Sequence, residues 1–194
     1  MKLYIPTKAD ARVLLALPEG FQGYAVVEGS LPPAILLERG AELQTSSWLM
    51  PRLFCDEDQR EVVGSACFKS VPKDRKVEIG YGVASLRRCR GHATTGLALM
   101  VMEAFASSQV DTVLASSSPR NVASRRVLQK CGFVVYGLGT DDDEGPVELW
   151  AKTRVPNKTS CTERRGRVSF GHRHVAGFHE LMVTSRNPVE GFTG

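Results

Sequence analysis

The feature that most limits how this chain can fold is a change of period between Lys76 and Ser116. Residues 76–83, KVEIGYGV, have the apolar and β-branched character of a strand. Residues 87–96, RRCRGHATTG, follow as a basic turn containing glycine. Over residues 91–107 the apolar residues Leu97, Val101, Ala104 and Phe105 fall at i, i+4, i+7 and i+8, the spacing of one helical face. Residues 111–116, DTVLAS, form a short apolar run suited to a buried strand. Strand, turn, helix and strand in this order require helices packed on a sheet, so the expected class is mixed α/β with a central sheet.

The flanks extend the pattern. Residues 2–5 can form a first strand, and Thr7 or Asp10 can cap a short helix through ADARVLLAL that Pro18 and Gly20 close. GYAVVEG reads as a short strand, and PPAILLERGAELQ, with proline at its start, as a helix. Residues 51–70 read as two strands around the acidic turn Asp56–Asp58. After DTVLAS, Ser118 or Asn121 can cap a helix that Gly132 ends. FVVYG and PVELWAKT are then two strands joined by DDDEG.

Residues 1–153 are expected to form a single domain. Residues 154–194 differ, with few aliphatics, several Gly, Arg and Ser, and no sustained period. They read as an irregular or disordered basic tail. The tail from residue 155 holds three of the four excess positive charges, so the body is nearly neutral and speaks against a nucleic-acid partner. No apolar run reaches the length of a membrane span, and the N-terminus lacks a signal-peptide pattern, which points to the cytoplasm. Five cysteines without a CxxC pair point to reduced thiols. His172, His174 and His179 match no usual zinc spacing, so no metal is expected.

The turn RRCRGHATTG has two readings. It can be a solvated basic turn. It can also be an anion site, because the first amides of a helix have no internal partner and the helix dipole adds positive charge there. Gly91 would let an anion approach without a Cβ, Ala93 and Thr94 are small, and Arg87, Arg88 and Arg90 add charge.

Three stretches together resemble the GNAT N-acetyltransferases. Arg88-Cys89-Arg90-Gly91-His92-Ala93 matches the Q/R-x-x-G-x-G/A signature of that family. NVASRRVLQKCGF, residues 121–133, resembles its second signature, and VEIGYGV resembles its fourth strand. The variants EIGY and N-x-x-S look most like the branch of ribosomal-protein N-terminal acetyltransferases. The resemblance spans residues 50–153.

The resemblance implies a mostly antiparallel central sheet flanked by helices, with two parallel strands splayed in the middle. It implies acetyl-CoA as co-substrate. Arg88, Cys89, Arg90, Gly91, His92, Ala93 and Thr94 would bind its pyrophosphate. Tyr81, Val83, Asn121 and Ser124 would line the pantetheine arm. Glu78 is the implied base, the alternative being a strand glutamate paired with a lysine. Many family members carry a tyrosine acid where Leu128 stands here. Ser124 would serve the leaving thiolate instead, the alternative being a serine bonded to its own helix backbone. The acceptor would be an amine, a peptide N-terminus or a small molecule, with Asp141–Glu144 favouring a cationic one. A CoA-binding protein without catalysis on the same fold is the alternative function, and a homodimer is left open.

Overall fold

The computed structural model describes residues 1–16, 20–42, 46–142 and 145–155. The order of elements is β1 (Lys2–Tyr4), α1 (Lys8–Ala16), β2 (Gly20–Phe21), β3 (Tyr24–Val26), α2 (Ala34–Glu42), β4 (Arg52–Asp56), β5 (Glu61–Phe68), β6 (Lys76–Val83), α3 (His92–Ala106), β7 (Thr112–Ser117), α4 (Val122–Lys130), β8 (Val134–Asp141) and β9 (Gly145–Thr153). Two 3-10 turns, Ser47–Leu49 and Ser85–Arg87, precede β4 and α3. The expectations for residues 156–194, the three tail histidines among them, lie outside the described residues, as do Pro18, Asp143 and Glu144.

The helix ends follow from local chemistry. At α1, Thr7 Oγ1 accepts the Asp10 N–H (3.2 Å) and Asp10 Oδ2 accepts the Thr7 N–H (2.8 Å), a reciprocal cap. At α4 the cap is Asn121, whose Oδ1 accepts the Ser124 N–H at 3.0 Å. Gly132 beyond it has φ +78°, the left-handed conformation that stops a helix. β3 lies within the short strand expected over GYAVVEG, whereas its hairpin partner β2 and both 3-10 turns were not legible in the sequence, because two or three residues carry too little periodicity.

The main sheet runs β1-β4-β5-β6-β7-β9-β8. Its neighbours are antiparallel except β6 with β7, and β3 adds in parallel to β5. The expected mostly antiparallel sheet flanked by helices is therefore observed. One core lies between the sheet and α3 and α4, where Phe54, Leu97, Met100, Leu128 and Trp150 are buried. A second lies with α1 and α2, around Leu14, Phe21, Leu37 and Val62. Arg52 is buried as well. It pairs with Glu103 of α3 and donates to the carbonyls of Ser47 (2.9 Å) and Trp48 (3.2 Å), tying the first 3-10 turn and α3 to β4.

The parallel pair is short. Lys76, Val77 and Glu78 of β6 match Thr112, Val113 and Leu114 of β7, and pairing stops there. From Ile79 to Val83, β6 stays with β5, whereas β7 stays with β9 to Ser117. The sheet opens between them.

Gly64 holds β5 close to β6 at this opening. A Cβ there would meet the Gly82 carbonyl at 2.4 Å and Val83 Cα at 3.0 Å, both rigid backbone. Gly64→Ala should therefore destabilise the protein by about 1–3 kcal/mol, the usual range for overpacking. Gly82→Ala, where a Cβ meets nothing within 4 Å, should cost far less. Urea unfolding of both variants checks this; equal losses would contradict it.

Candidate functional site

A cleft of ≈ 950 Å³ occupies the gap between the parted strands. One wall is β6, with Ile79, Gly80, Tyr81, Gly82 and Val83. The loop after β6 and the first turn of α3 form its end, with Arg88, Cys89, Gly91, His92, Ala93 and Thr94. The opposite wall is α4 and its approach, with Asn121, Ser124, Arg126, Val127 and Lys130. Leu31, Pro32, Pro33 and Leu36 close one side.

The loop reaches this position through two left-handed residues. Cys89 has φ +60° and Gly91 has φ +85°, and Gly91 takes the N-cap place of α3 with no side-chain cap. The first bond that closes a turn of α3 runs from the Thr95 N–H to the Gly91 carbonyl (3.0 Å). The amides of His92, Ala93 and Thr94 therefore have no helical acceptor. They sit at the positive end of a fifteen-residue helix. A Cβ built on Gly91 would meet nothing within 4 Å, so the loop faces open space. Backbone amides, helix dipole and room for a bulky anion coincide.

One of the three loop arginines is committed elsewhere. Arg87 forms a bidentate pair with Glu61 of β5, both contacts 2.6 Å. It anchors the second 3-10 turn to the sheet, and where it lines the cleft its charge is matched by Glu61. The bonds from Arg87 hold the Glu61 carboxyl below the usual carboxylate range, against the opposing effect of burial. Arg90 does not line the cleft, so its expected place beside Arg88 is not where the structure puts it. His92 lies 3.8 Å from the Asp56 carboxylate.

Glu78 stands at the inner end of the opening, the last residue of β6 paired to β7. Its Oε1 takes Lys69 Nζ at 2.6 Å and the Ser116 hydroxyl at 3.2 Å. Lys69 also reaches Ser116 Oγ at 3.4 Å. Glu78 lines a smaller neighbouring groove of ≈ 280 Å³ with Lys73, Asp74, Val77 and Leu114. Lys69 belongs to both hollows and Ser116 to the cleft, so this trio is the link between them.

Ser124 and Tyr81 meet across the cleft, hydroxyl to hydroxyl, at 3.0 Å. Tyr81 OH is also 3.4 Å from the Ser124 carbonyl. Burial pushes the Tyr81 phenol up to about 12, with the Ser124 bond pulling the other way. Leu128 has no exposed surface and is part of the core. Cys67 also lines the cleft, but burial drives its thiol up to about 11.

The structure thus gathers Tyr81, Val83, Arg88, Cys89, Gly91, His92, Ala93, Thr94, Asn121 and Ser124 around one cleft, and leaves Glu78 at its border and Arg90 outside. Lys69, Ser116, Arg126 and Lys130 were missed from sequence. Arg126 and Lys130 carried a signal, since cations at i and i+4 share a helix face. Lys69 and Ser116 carried none, because only sheet register brings β5, β6 and β7 side chains together. Among the described residues no group of three or more metal-ligating side chains occurs. No described helix is long and apolar enough to cross a membrane.

The Glu61–Arg87 pair has a defined pH window. The folded value for Glu61 lies below its ordinary one, so the pair's contribution is complete above the ordinary carboxylate value and is lost as pH falls through the lowered value. Urea unfolding should show Glu61→Gln less stable than the unaltered protein at pH 7, with the gap closing on acidification. A gap that persists unchanged into acid would mean the pair does not hold the loop.

Comparison with known proteins places this geometry. Residues 19–134 match the family model described as acetyltransferase (GNAT) domain. No curated protein matches the chain by sequence. The fold is similar to that of the aminoglycoside acetyltransferase AAC(6')-Ib crystallised with coenzyme A, at 20% identity over 79% of this chain and 94% of that one, TM-score 0.55. It is also similar to ribosomal-protein-S5-alanine acetyltransferase from Vibrio fischeri, at 15% identity over 78% of this chain and 91% of that one, TM-score 0.58. A spermidine N-acetyltransferase SpeG chimera from Vibrio cholerae and hSSAT matches at 14% identity over 79% and 96%, TM-score 0.57.

Proposed function

The chain belongs to the GNAT acetyltransferase family, and from that premise we propose that it transfers the acetyl group of acetyl-CoA to a primary amine, directly, in a ternary complex. The observation that carries this reading is the parting of β6 and β7 after Glu78 and Leu114, with the bare amides of α3 at the far end of the gap. The residues present fit acetyl-CoA as a substrate. The open space at Gly91 and the amides of His92–Thr94 suit a pyrophosphate. Arg126 and Lys130 add positive charge on the α4 wall. The edge of β6 from Ile79 to Val83 that turns away from β5 offers backbone donors and acceptors to an amide-bearing arm.

The reaction needs the amine uncharged, because an ammonium has no lone pair. Glu78 is the base in this reading, through Oε2, since Lys69 and Ser116 hold Oε1 and fix the carboxylate. An N–H on the open edge of β6 would stabilise the oxyanion, and Ser124 would serve the leaving thiolate. The solved structures of similar fold bear the names of acetyltransferases for an aminoglycoside, a ribosomal protein and spermidine. An amine as acceptor is our extension from them to this chain, and a peptide N-terminus or a small molecule both suit it. A cytoplasmic location is part of this proposal.

A second reading is a CoA-binding protein without catalysis. It draws on the buried Leu128 where many relatives place a tyrosine, and on the capture of Glu78 by Lys69.

Calorimetric titration with acetyl-CoA and with CoA separates these readings from a simple basic turn. Binding in about the micromolar range is expected, weakened more than about tenfold in Gly91→Val, where a side chain would enter the anion space and the backbone would be strained. No binding by folded protein would end the proposal. With an amine acceptor panel, Glu78→Gln should lower kcat by about 100-fold or more and alter its pH profile. An unchanged profile removes Glu78 as base, and binding without turnover on any amine favours the second reading.

A further inference from the structure

Two hydroxyls touch in the middle of the cleft, and the family's usual acid is absent. We propose that Tyr81 positions Ser124, so that a two-hydroxyl relay from β6 to α4 stabilises the thiolate that leaves the acetyl group. The proposal rests on the acetyltransferase reading and deepens it.

The place follows from the layout of the cleft. In the acetyltransferase reading the phosphates lie at the end formed by the first turn of α3, and the acceptor amine near Glu78 at the border of the cleft. The thioester must lie between them. Tyr81 is on β6 between Glu78 and Val83, and Ser124 faces it from the first turn of α4. Of the other hydroxyls lining the cleft, Ser116 and Ser117 have engagements of their own. Ser116 is bonded to Glu78 and Lys69, and Ser117 lies 3.5 Å from the Ser118 carbonyl. Leu128 is sealed in the core and offers nothing to the cleft.

Either hydroxyl can be the donor between Tyr81 and Ser124. The Ser124 carbonyl, 3.4 Å from Tyr81 OH, can only accept. A buried phenol whose titration lies at about 12 keeps its proton near neutrality. In the proposed relay Tyr81 donates to the nearer acceptor, Ser124 Oγ at 3.0 Å, rather than to the carbonyl at 3.4 Å. Ser124 meets its helix-capping need through its N–H and Asn121, so its hydroxyl is not consumed by the cap. With Oγ receiving the Tyr81 proton bond, the Ser124 O–H is turned to donate into the cleft. Bonds in such a chain strengthen one another.

The chemistry balances without a proton leaving either residue. The bond from the acetyl carbon to sulfur breaks, and its electron pair stays on sulfur. Ser124 donates a hydrogen bond to that thiolate and retains its proton. The proton lost by the amine goes to the base, and the thiolate is protonated from solvent on release. Tyr81 is a positioning residue, acting only through Ser124.

The test compares CoA with desulfo-CoA, which lacks the sulfur, by calorimetry from pH 6 to above the ordinary thiol range of about 8–9. In the unaltered protein CoA should gain about tenfold over desulfo-CoA as pH rises, the worth of one charge-assisted hydrogen bond. Tyr81→Phe and Ser124→Ala should each abolish that gain, and the double variant should lose no more than either alone. Measurable desulfo-CoA binding shows that each variant is folded. A pH-dependent gain that survives in Tyr81→Phe, or losses that add in the double variant, would overturn the relay. Both compounds binding with no pH-dependent preference in the unaltered protein would overturn the relay while leaving the acetyltransferase reading intact. If neither compound binds the unaltered protein, both fall.

Discussion

Parallel pairing between β6 and β7 lasts three residues, and nearly everything chemical in the molecule depends on its ending there. A strand in mid-sheet normally has both edges satisfied, because unpaired backbone groups away from water are costly. Here β6 keeps β5 on one side and releases β7 on the other. The released edge stays solvated in an open cleft rather than sealed in the core. Side chains from β5, α3, α4 and the loop after β6 then converge on one volume. Gly64 makes the arrangement compact, since any side chain there would push β5 away from the rim of the gap.

Charge is distributed to support this geometry. Arg52 and Glu103 clamp α3 to the sheet, Arg87 and Glu61 clamp the loop, and Lys69 and Glu78 bridge the two hollows. The first two pairs join elements distant in sequence, and Lys69 and Glu78 lie nine residues apart across the turn from β5 to β6. The first two are structural, and they keep the amides of α3 aimed at the cleft. The third holds a carboxylate in one orientation at the point where the parted strands meet. Positive charge at the cleft's α4 wall comes from Arg126 and Lys130, close to the anion end. A nearly neutral body can in this way offer a locally basic site.

The hydrophobic core accounts for the apolar residue at position 128. Leu128 sits among Phe133, Cys131 and Trp150 with no exposed surface. A tyrosine could not enter that place without displacing its neighbours. Hydroxyls face the cleft instead from Tyr81 on β6 and Ser124 on α4, which meet at 3.0 Å.

From the sequence alone the order of elements, the caps at Thr7 and Asn121, the stop at Gly132 and the glycine-bearing turn before α3 were legible. Each is a local matter of period, cap or backbone conformation, carried by residues within a few positions of one another. The candidate loop residues were legible for the same reason, since amides at a helix N-terminus are a local consequence of where the helix starts. Tertiary structure decided the rest. It bound Arg87 to Glu61, joined Glu78 to Lys69 and Ser116, and set Tyr81 against Ser124. Those partners lie 26, 9, 38 and 43 residues apart. Only the register of strands and the packing of α4 across the gap bring them within a hydrogen bond, and neither is written in any short stretch of the chain.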